Sequence, residues 1–267
     1  MKYKTEAGVK FASVADIRVD LAKKEDVLLL LRSAIQNESY LCTVHTLNPE
    51  IIIQAKDYPA YGDVLNDGTL NLVDGIGLFR AIHRRNVPQF DRICGSDLIF
   101  DLATLAQSAQ RPLFLLGGQT KRREKAEYFL RERFPGLTVE GYSPEFSAGL
   151  PLPDQLDIEN RLNKVRPGVV AVCLGAPRQE MWIAQNRKIL IGCDVRIAAG
   201  LGGTVDFLSG EVPRAPKWMR ASGLEWLHRL VMEPNRLKRQ LSTLPKFALH
   251  AFFDAKFVRV TDSKGPH

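Results

Sequence analysis

Short runs of Val, Ile, Leu and Phe alternate with amphipathic helical patterns along most of this 267-residue chain. The apolar runs predict strands at residues 14–19, 40–46, 70–73, 112–116, 137–141 and 169–174, with a further strand inside 189–199. Apolar residues at helical spacing predict helices at 24–36, 49–56, 77–85, 97–109, 121–134, 154–165 and 181–188. Strands separated by helices are typical of an α/β fold, with a mostly parallel sheet covered by helices on both faces.

The positive charge of the chain is concentrated near its end. The sequence has 37 Lys and Arg against 30 Asp and Glu, which gives a net charge of +7. Residues 211–267 hold 11 of the basic and 5 of the acidic residues, so most of the excess lies there. Prolines divide this part into short pieces. We therefore predict a nearly neutral α/β body over residues 1–210 and a basic, amphipathic helical appendage over residues 211–267.

Several functional classes are disfavoured by composition and motifs. The four cysteines are widely spaced and form no C-x-x-C pair, which is typical of free thiols in a reducing compartment. No signal peptide and no apolar run long enough for a transmembrane helix is evident, so we expect a cytoplasmic protein with at most peripheral membrane contact. We expect no metal site, because H-E-x-x-H and D-x-D motifs are absent. The P-loop and dinucleotide fingerprints are absent too.

Glycine turns follow several of the predicted strands. In an open α/β sheet, ligands bind at the carboxyl ends of the strands, where these turns lie. Examples are Gly117-Gly118, Gly175 and the stretch 200–203. Backbone N–H groups at such turns and helix starts bind phosphate, although a single glycine turn is usually structural. Three of them in one sheet favour a nucleotide or another phosphorylated ligand.

Asp74 is the acidic residue of most interest in the body. It follows the predicted strand at 70–73 and precedes a Gly-x-Gly turn. A carboxylate in the crevice could take a proton from an attacking hydroxyl, whereas the alternative is an N-cap of the next helix. Arg92 is a candidate to neutralise phosphate charge in place of a metal ion.

The appendage combines arginines with aromatic residues. If its first helical pieces were continuous, Arg229, Arg236 and Arg239 would lie on roughly one face. The following segment, Lys246–Val260, contains four phenylalanines with basic neighbours, which suits a helix at the surface of an anionic membrane. The alternative is an amphipathic helix packed on the body or on a neighbouring subunit. We expect no nucleic-acid partner, because no recognised nucleic-acid-binding module is present.

The chain resembles the WecG/TagA/CpsF glycosyltransferases from about Val14 to about Arg239. The resemblance lies in ordered sequence blocks, of which P-[KR]-Q-E and R-A-P…G-L-E-W are the most specific in combination. The blocks are Thr46–Asn48, Val73–Gly77, Arg92–Asp97, Leu115–Gly118, Leu174–Glu180, Gly202–Asp206, Arg214–Pro216 and Gly223–Arg229.

The resemblance implies a Rossmann-like core with a C-terminal appendage that closes the site and docks on the membrane. It implies an inverting, metal-independent enzyme that moves a sugar from a UDP-sugar to a polyprenyl-diphosphate-linked saccharide in bacterial surface polysaccharide synthesis. The sugar would be N-acetylmannosamine, its uronic acid or a hexose such as glucose. Asp74 matches the catalytic base of the family. The substrate-binding positions that we expect are Thr46, Asn48, Arg92, Gly117, Gly118, Gln179, Gly202, Arg229, Arg236 and Arg239.

Other interpretations of the sequence remain open at this point. One is a nucleotide-binding α/β enzyme of another class, such as an NAD-linked sugar oxidoreductase. Another is a non-catalytic, membrane-docked partner in polysaccharide assembly. A homo-oligomer is also possible, and the sequence does not fix its size.

Overall fold

The computed structural model describes residues 10–37, 40–144, 152–213, 225–232 and 237–261, with residues 215, 216, 218, 219 and 222 between them. At residues 152–153, 225, 229–231, 237–239 and 261 it describes the backbone alone.

A six-stranded parallel sheet forms the centre of the protein, as predicted, with strand order β4-β3-β8-β7-β5-β6. Its strands are β3 Cys42–Leu47, β4 Leu70–Val73, β5 Leu113–Gly117, β6 Val139–Tyr142, β7 Val169–Cys173 and β8 Ile197–Gly200. Alternate residues of β7 pack in two different apolar clusters, Val169 and Ala171 on one face and Val170 and Val172 on the other. Because both faces are covered, β5 and β7 have no polar side and form continuous apolar runs in the sequence.

Helices surround this sheet. They are α1 Lys24–Gln36, α2 Pro49–Asp57, α3 Pro59–Asp67, α4 Ile76–His83, α5 Gly95–Ser108, α6 Thr120–Arg133, α7 Leu152–Val165, α8 Arg178–Gln185, α9 Arg187–Gly192, α10 Thr204–Leu208, α11 Glu225–Met232 and α12 Leu237–Phe253. Most of those over the body lie within a few residues of their predicted positions. Helices α3 and α10 were not predicted, and the end of the predicted helix at 181–188 belongs to α9.

The predicted single strand at residues 14–19 is wrong. The chain forms a hairpin here, with β1 at Lys10–Val14 and β2 at Ile17–Leu21 in antiparallel pairing. Ala15 and Asp16 make the turn at φ values of 50° and 64°. Two-residue hairpin turns favour glycine or asparagine at positive φ, so Ala-Asp gives little warning of one.

The C-terminal segment departs from the prediction of a helix through Val260. Helix α12 ends at Phe253, and β9 Val258–Thr261 pairs antiparallel with β1, giving a second sheet of order β2-β1-β9. A free edge of β1 accepts a strand with the β-branched pattern of Val258 and Val260. The last described strand of the chain therefore pairs with the first.

The four phenylalanines of this segment form two pairs, one buried and one exposed. Phe247 and Phe257 are buried, with their ring centroids 5.5 Å apart. Phe252 and Phe253 are 63% and 83% exposed. Half of the aromatic cluster therefore belongs to the protein core, and half faces solvent.

The structure also bears on the cysteines and on membrane-spanning helices. All four cysteines are buried and free, and burial raises the pKa of the Cys42 and Cys173 thiols to about 12. Of the helices within the described ranges, none has the length and apolarity needed to cross a membrane.

The different burial of the phenylalanines predicts a large stability loss for one alanine substitution and almost none for another. Phe257→Ala should lower the free energy of unfolding by about 3–5 kcal/mol, because it leaves a cavity between α12 and the hairpin. Phe253→Ala should change it by less than about 0.5 kcal/mol, since the ring is in solvent. Urea unfolding measures both, and equal losses for the two variants would contradict this packing.

Candidate functional site

A cavity of about 390 Å³ lies where the carboxyl ends of β3 and β4 face the C-terminal helices α11 and α12. The body contributes polar and charged residues to its wall, and the C-terminal helices contribute mainly apolar ones. The lining residues that matter here are Asn48, Glu50, Asp74, Arg80, Arg92, Ser96, Trp226, Gln240, Leu244 and Phe247. The cavity thus joins the α/β body to its appendage.

Asp74 follows β4 directly and lines this cavity. Its backbone N–H donates to Leu47 O at 2.9 Å, which ties the turn to the end of β3. The N-cap position of α4 is Gly75, and no side chain caps that helix. The alternative interpretation of Asp74 as an N-cap is therefore wrong, and its carboxylate is placed where a ligand could meet it.

Arg92 lies beside Asp74 in the same cavity. Its guanidinium donates to the backbone oxygen of Asp74 at 3.2 Å and contacts Cys94 Sγ at 2.7 Å. The neighbouring Ile93 N–H donates to Val73 O at 2.7 Å. These bonds hold the positive charge of Arg92 beside the turn that carries Asp74.

Asn48 completes the polar side of the cavity. Its Oδ1 accepts a hydrogen bond from Ile51 N at 3.1 Å, so this residue is the N-cap of α2. The cap holds the side chain at the cavity wall, and its amide nitrogen can still donate to a ligand.

A second cavity, of about 510 Å³, lies at the carboxyl ends of β5, β6 and β7. Its lining residues include Gly118, Thr120, Arg122, Ser143, Arg178 and Asp206. The arginines and the starts of α6 and α8 give it groups that attract anions. Arg122 is paired with Asp206 at 2.8 Å and with Glu211 at 2.8 Å.

Gly117 and Gly118 shape the turn into this second cavity. Their φ values are 110° and 76°, which side chains rarely adopt. A Cβ on Gly118 would lie 2.6 Å from Val205 Cγ1, so glycine is needed here for space as well as for conformation.

Three of the predicted binding residues, Thr46, Gln179 and Gly202, are held by hydrogen bonds to other parts of the protein and are not among the described residues that line the two cavities. Thr46 Oγ1 donates to Gly200 O at 3.0 Å, and Gln179 Oε1 accepts from Gly202 N at 2.9 Å. Thr46 and Gln179 are both buried. The Gly202 amide, expected to contact ligand, is thus already bound to Gln179.

The appendage arginines can be placed only in part. Arg229 lies on α11 and Arg239 on α12, but their side chains are not described. Arg236 lies outside the described residues. Their expected contact with a diphosphate remains a prediction.

Sequence reasoning gave no role to four residues that the fold brings to the site. Arg80 and Trp226 line the first cavity, and Glu180 and Tyr61 are buried behind Gln179. Glu180 and Trp226 stand inside recognised sequence blocks, which was a usable signal. Arg80 and Tyr61 lie on helices where nothing in the pattern distinguishes them from surface or core residues.

We also searched the described residues for groups that could bind a metal ion. Within the described ranges, no three His, Cys, Asp or Glu side chains are grouped so that they could hold a metal ion. His45 is buried in β3, and desolvation lowers its pKa to about 4.

Comparison with known proteins identifies relatives over most of the chain. The model of the glycosyl transferase WecG/TagA/CpsF family matches residues 12–260. A protein of Bacillus subtilis (strain 168) is 32% identical over 213 residues, which cover 80% of each chain. A protein of Staphylococcus aureus (strain MRSA252) is 29% identical over 205 residues, or 76% of each chain. Both are named N-acetylglucosaminyldiphosphoundecaprenol N-acetyl-beta-D-mannosaminyltransferase. An NAD-linked oxidoreductase finds no support in these matches.

The geometry of the glycine turn predicts a difference between two alanine substitutions. Gly136→Ala, at φ 84° with open space around it, should lower the free energy of unfolding by roughly 1–2 kcal/mol. Gly118→Ala should cost about 1–3 kcal/mol more, because the added Cβ also displaces Val205. Urea unfolding of both variants measures the difference, and equal costs would contradict the close contact at the cavity.

Proposed function

Because the chain belongs to the WecG/TagA/CpsF family of glycosyltransferases, we propose that it transfers N-acetylmannosamine from a UDP-sugar to a polyprenyl-diphosphate-linked sugar. The observation that carries this proposal is the cavity in which Asp74, Asn48 and Arg92 face an apolar wall from the C-terminal helices. The choice of N-acetylmannosamine over its uronic acid or glucose follows the names of the relatives. The product would enter a bacterial cell-surface polysaccharide.

Asp74 is the proposed general base. The acceptor hydroxyl oxygen attacks the anomeric carbon, its proton passes to the Asp74 carboxylate, and the bond from that carbon to the UDP oxygen breaks. The leaving UDP takes the electron pair. One displacement of this kind inverts the anomeric configuration. No metal is required if positive groups of the protein stabilise the charge on UDP.

The second cavity is the proposed place for the nucleotide diphosphate. Arg178 supplies positive charge, Arg122 lines the same cavity in ion pairs with Asp206 and Glu211, and the turn at Gly118 leads into the N-terminus of α6. A helix N-terminus and a guanidinium both bind phosphate oxygens. Arg178 is adjacent in sequence to the buried Gln179, so the diphosphate would lie near this amide.

The first cavity is the proposed place for the acceptor sugar. Trp226, Leu244 and Phe247 offer apolar surface for the faces of a sugar ring, opposite the polar groups of the body. Arg80 is exposed at the same cavity, where it could meet the acceptor diphosphate. Arg229, Arg236 and Arg239, if they contact the acceptor diphosphate as expected, would add to this positive charge.

Helix α12 is the proposed membrane contact. Its exposed apolar residues are Leu241, Leu249, Phe252 and Phe253. The guanidinium of Arg84 lies 4.5 Å from the centre of the Phe252 ring, and Lys246 and Lys256 are exposed nearby in sequence. Aromatic and basic residues together favour an anionic bilayer surface. The polyprenyl chain of the acceptor would lie in that bilayer.

Replacement of the proposed base gives the first functional prediction. Asp74→Asn should lower kcat at least about a hundredfold, because the amide cannot take the proton, while UDP affinity stays within about twofold. Turnover of UDP-N-acetylmannosamine with a short-chain N-acetylglucosaminyl-diphosphate lipid, measured in EDTA, tests this. The exposed Asp67→Asn is the matched control.

Two outcomes of that assay would contradict the mechanism. Full activity of Asp74→Asn would remove Asp74 as the base. Loss of wild-type turnover in EDTA, with recovery on adding a divalent cation, would show that the reaction depends on a metal.

The membrane proposal predicts a specific loss of vesicle binding. Replacing Phe252 and Phe253 by Ser should weaken binding to anionic phosphatidylglycerol vesicles at least about tenfold, because two apolar rings no longer enter the bilayer. Tyr128→Ser on α6 removes another exposed aromatic ring and should bind as the wild type does. Vesicle sedimentation measures both, and unchanged binding of the double variant would contradict the assigned surface.

A further inference from the structure

Glu180 is a buried carboxylate that the proposed chemistry does not use. It lies on α8, next to Gln179, and its side chain has no exposed surface. A buried carboxyl group is costly unless its oxygens accept hydrogen bonds. Its partners therefore indicate why a glutamate stands here.

Both carboxyl oxygens of Glu180 accept hydrogen bonds from neighbouring side chains. Tyr61 Oη donates to Oε2 at 3.0 Å, and Gln179 Nε2 donates to Oε1 at 2.7 Å. Tyr61 is fully buried on α3, which packs against α8. Burial and the neighbouring Glu180 raise the pKa of the Tyr61 hydroxyl, so it remains protonated and donates.

These bonds determine which way the Gln179 amide faces. Because Nε2 is held by Glu180, Oε1 points the other way and accepts from Gly202 N at 2.9 Å. The amide also lies against the end of β8, where a Cβ on Gly200 would be 2.9 Å from Gln179 Nε2. The opposite side of Gly200 is held by Thr46, whose Oγ1 donates to Gly200 O at 3.0 Å.

We propose that Glu180 and Tyr61 are positioning residues, which hold the Gln179 amide and through it the loop 200–203, which leads into α10 and so to Asp206 at the second cavity. The chain of contacts runs from α3 to α8 and then to the end of β8. Neither Glu180 nor Tyr61 is among the described residues that line the two cavities. They therefore act through Gln179 and not directly on the ligand. The inference rests on the proposed function, which places the nucleotide diphosphate in the second cavity.

Three variants separate the effect of the hydrogen bonds from the effect of filling the space at this position. Glu180→Leu removes both acceptors, Glu180→Gln keeps an acceptor for Gln179, and Tyr61→Phe removes one donor. Asp20→Asn is the control, because Asp20 is a half-buried carboxylate that accepts from Asn71 N at 2.8 Å and pairs with Arg18 in the N-terminal hairpin, outside both cavities.

Two measurements report on positioning. Hydrogen exchange, followed by mass spectrometry, should be faster over residues 200–203 in Glu180→Leu than in wild type, Glu180→Gln or Asp20→Asn. Calorimetric titration with UDP should give a Kd about tenfold higher for Glu180→Leu and about threefold higher for Tyr61→Phe. The Kd for UDP and the exchange rate of Glu180→Gln should be close to those of the wild type. Asp20→Asn should also keep both values, even if it lowers the stability of the protein.

The outcomes distinguish this inference from the proposed function. Unchanged exchange and unchanged UDP affinity in both Glu180→Leu and Tyr61→Phe would overturn the positioning role. A loss in Glu180→Gln as large as in Glu180→Leu would overturn it as well, because the hydrogen-bond pattern would not be the cause. A wild-type protein that fails to bind UDP would contradict the proposed function, while hydrogen exchange still decides the role of Glu180.

Discussion

The parallel arrangement of β3, β4 and β8 is the constraint on which the site depends. Parallel strands end at one edge of the sheet, so the residues that follow them meet there whatever their separation in sequence. Asp74 after β4 is bonded to Leu47 of β3, and Thr46 of β3 is bonded to Gly200 of β8. These two bonds hold the ends of β3, β4 and β8 together at one edge of the sheet, with the Glu180 and Tyr61 pair behind Gln179.

Helix α12 joins this floor to the proposed membrane surface. Gln240, Leu244 and Phe247 on one side of the helix line the cavity, while Leu241, Leu249 and Phe252 on another are exposed. The far end of the helix is secured by β9, which pairs with β1 of the N-terminal hairpin. In this account a lipid-linked acceptor would bring its diphosphate past α12 while its chain stays in the bilayer.

The parallel core and the position of Asp74 after β4 could be predicted from the sequence. The elements that depend on pairing between distant parts of the chain could not. Apolar runs between helices identify β7 and β5 because those strands are buried on both faces. The hairpin at Ala15-Asp16 lacks a glycine signal, and β9 is a strand only because β1 has a free edge. Phe247 and Phe252 look alike in the sequence, yet one is core and one is surface. Hydrogen bonding of Glu180 to Tyr61, 119 positions away, has no local signature.

The most direct test of a single displacement assisted by Asp74 is the configuration of the new glycosidic bond. The one-bond carbon–proton coupling at the anomeric carbon of the product, measured by NMR, distinguishes α from β linkages. Starting from an α-linked UDP-sugar, one displacement predicts a β-linked product. An α-linked product would contradict the account, because retention requires two displacements and a second nucleophile.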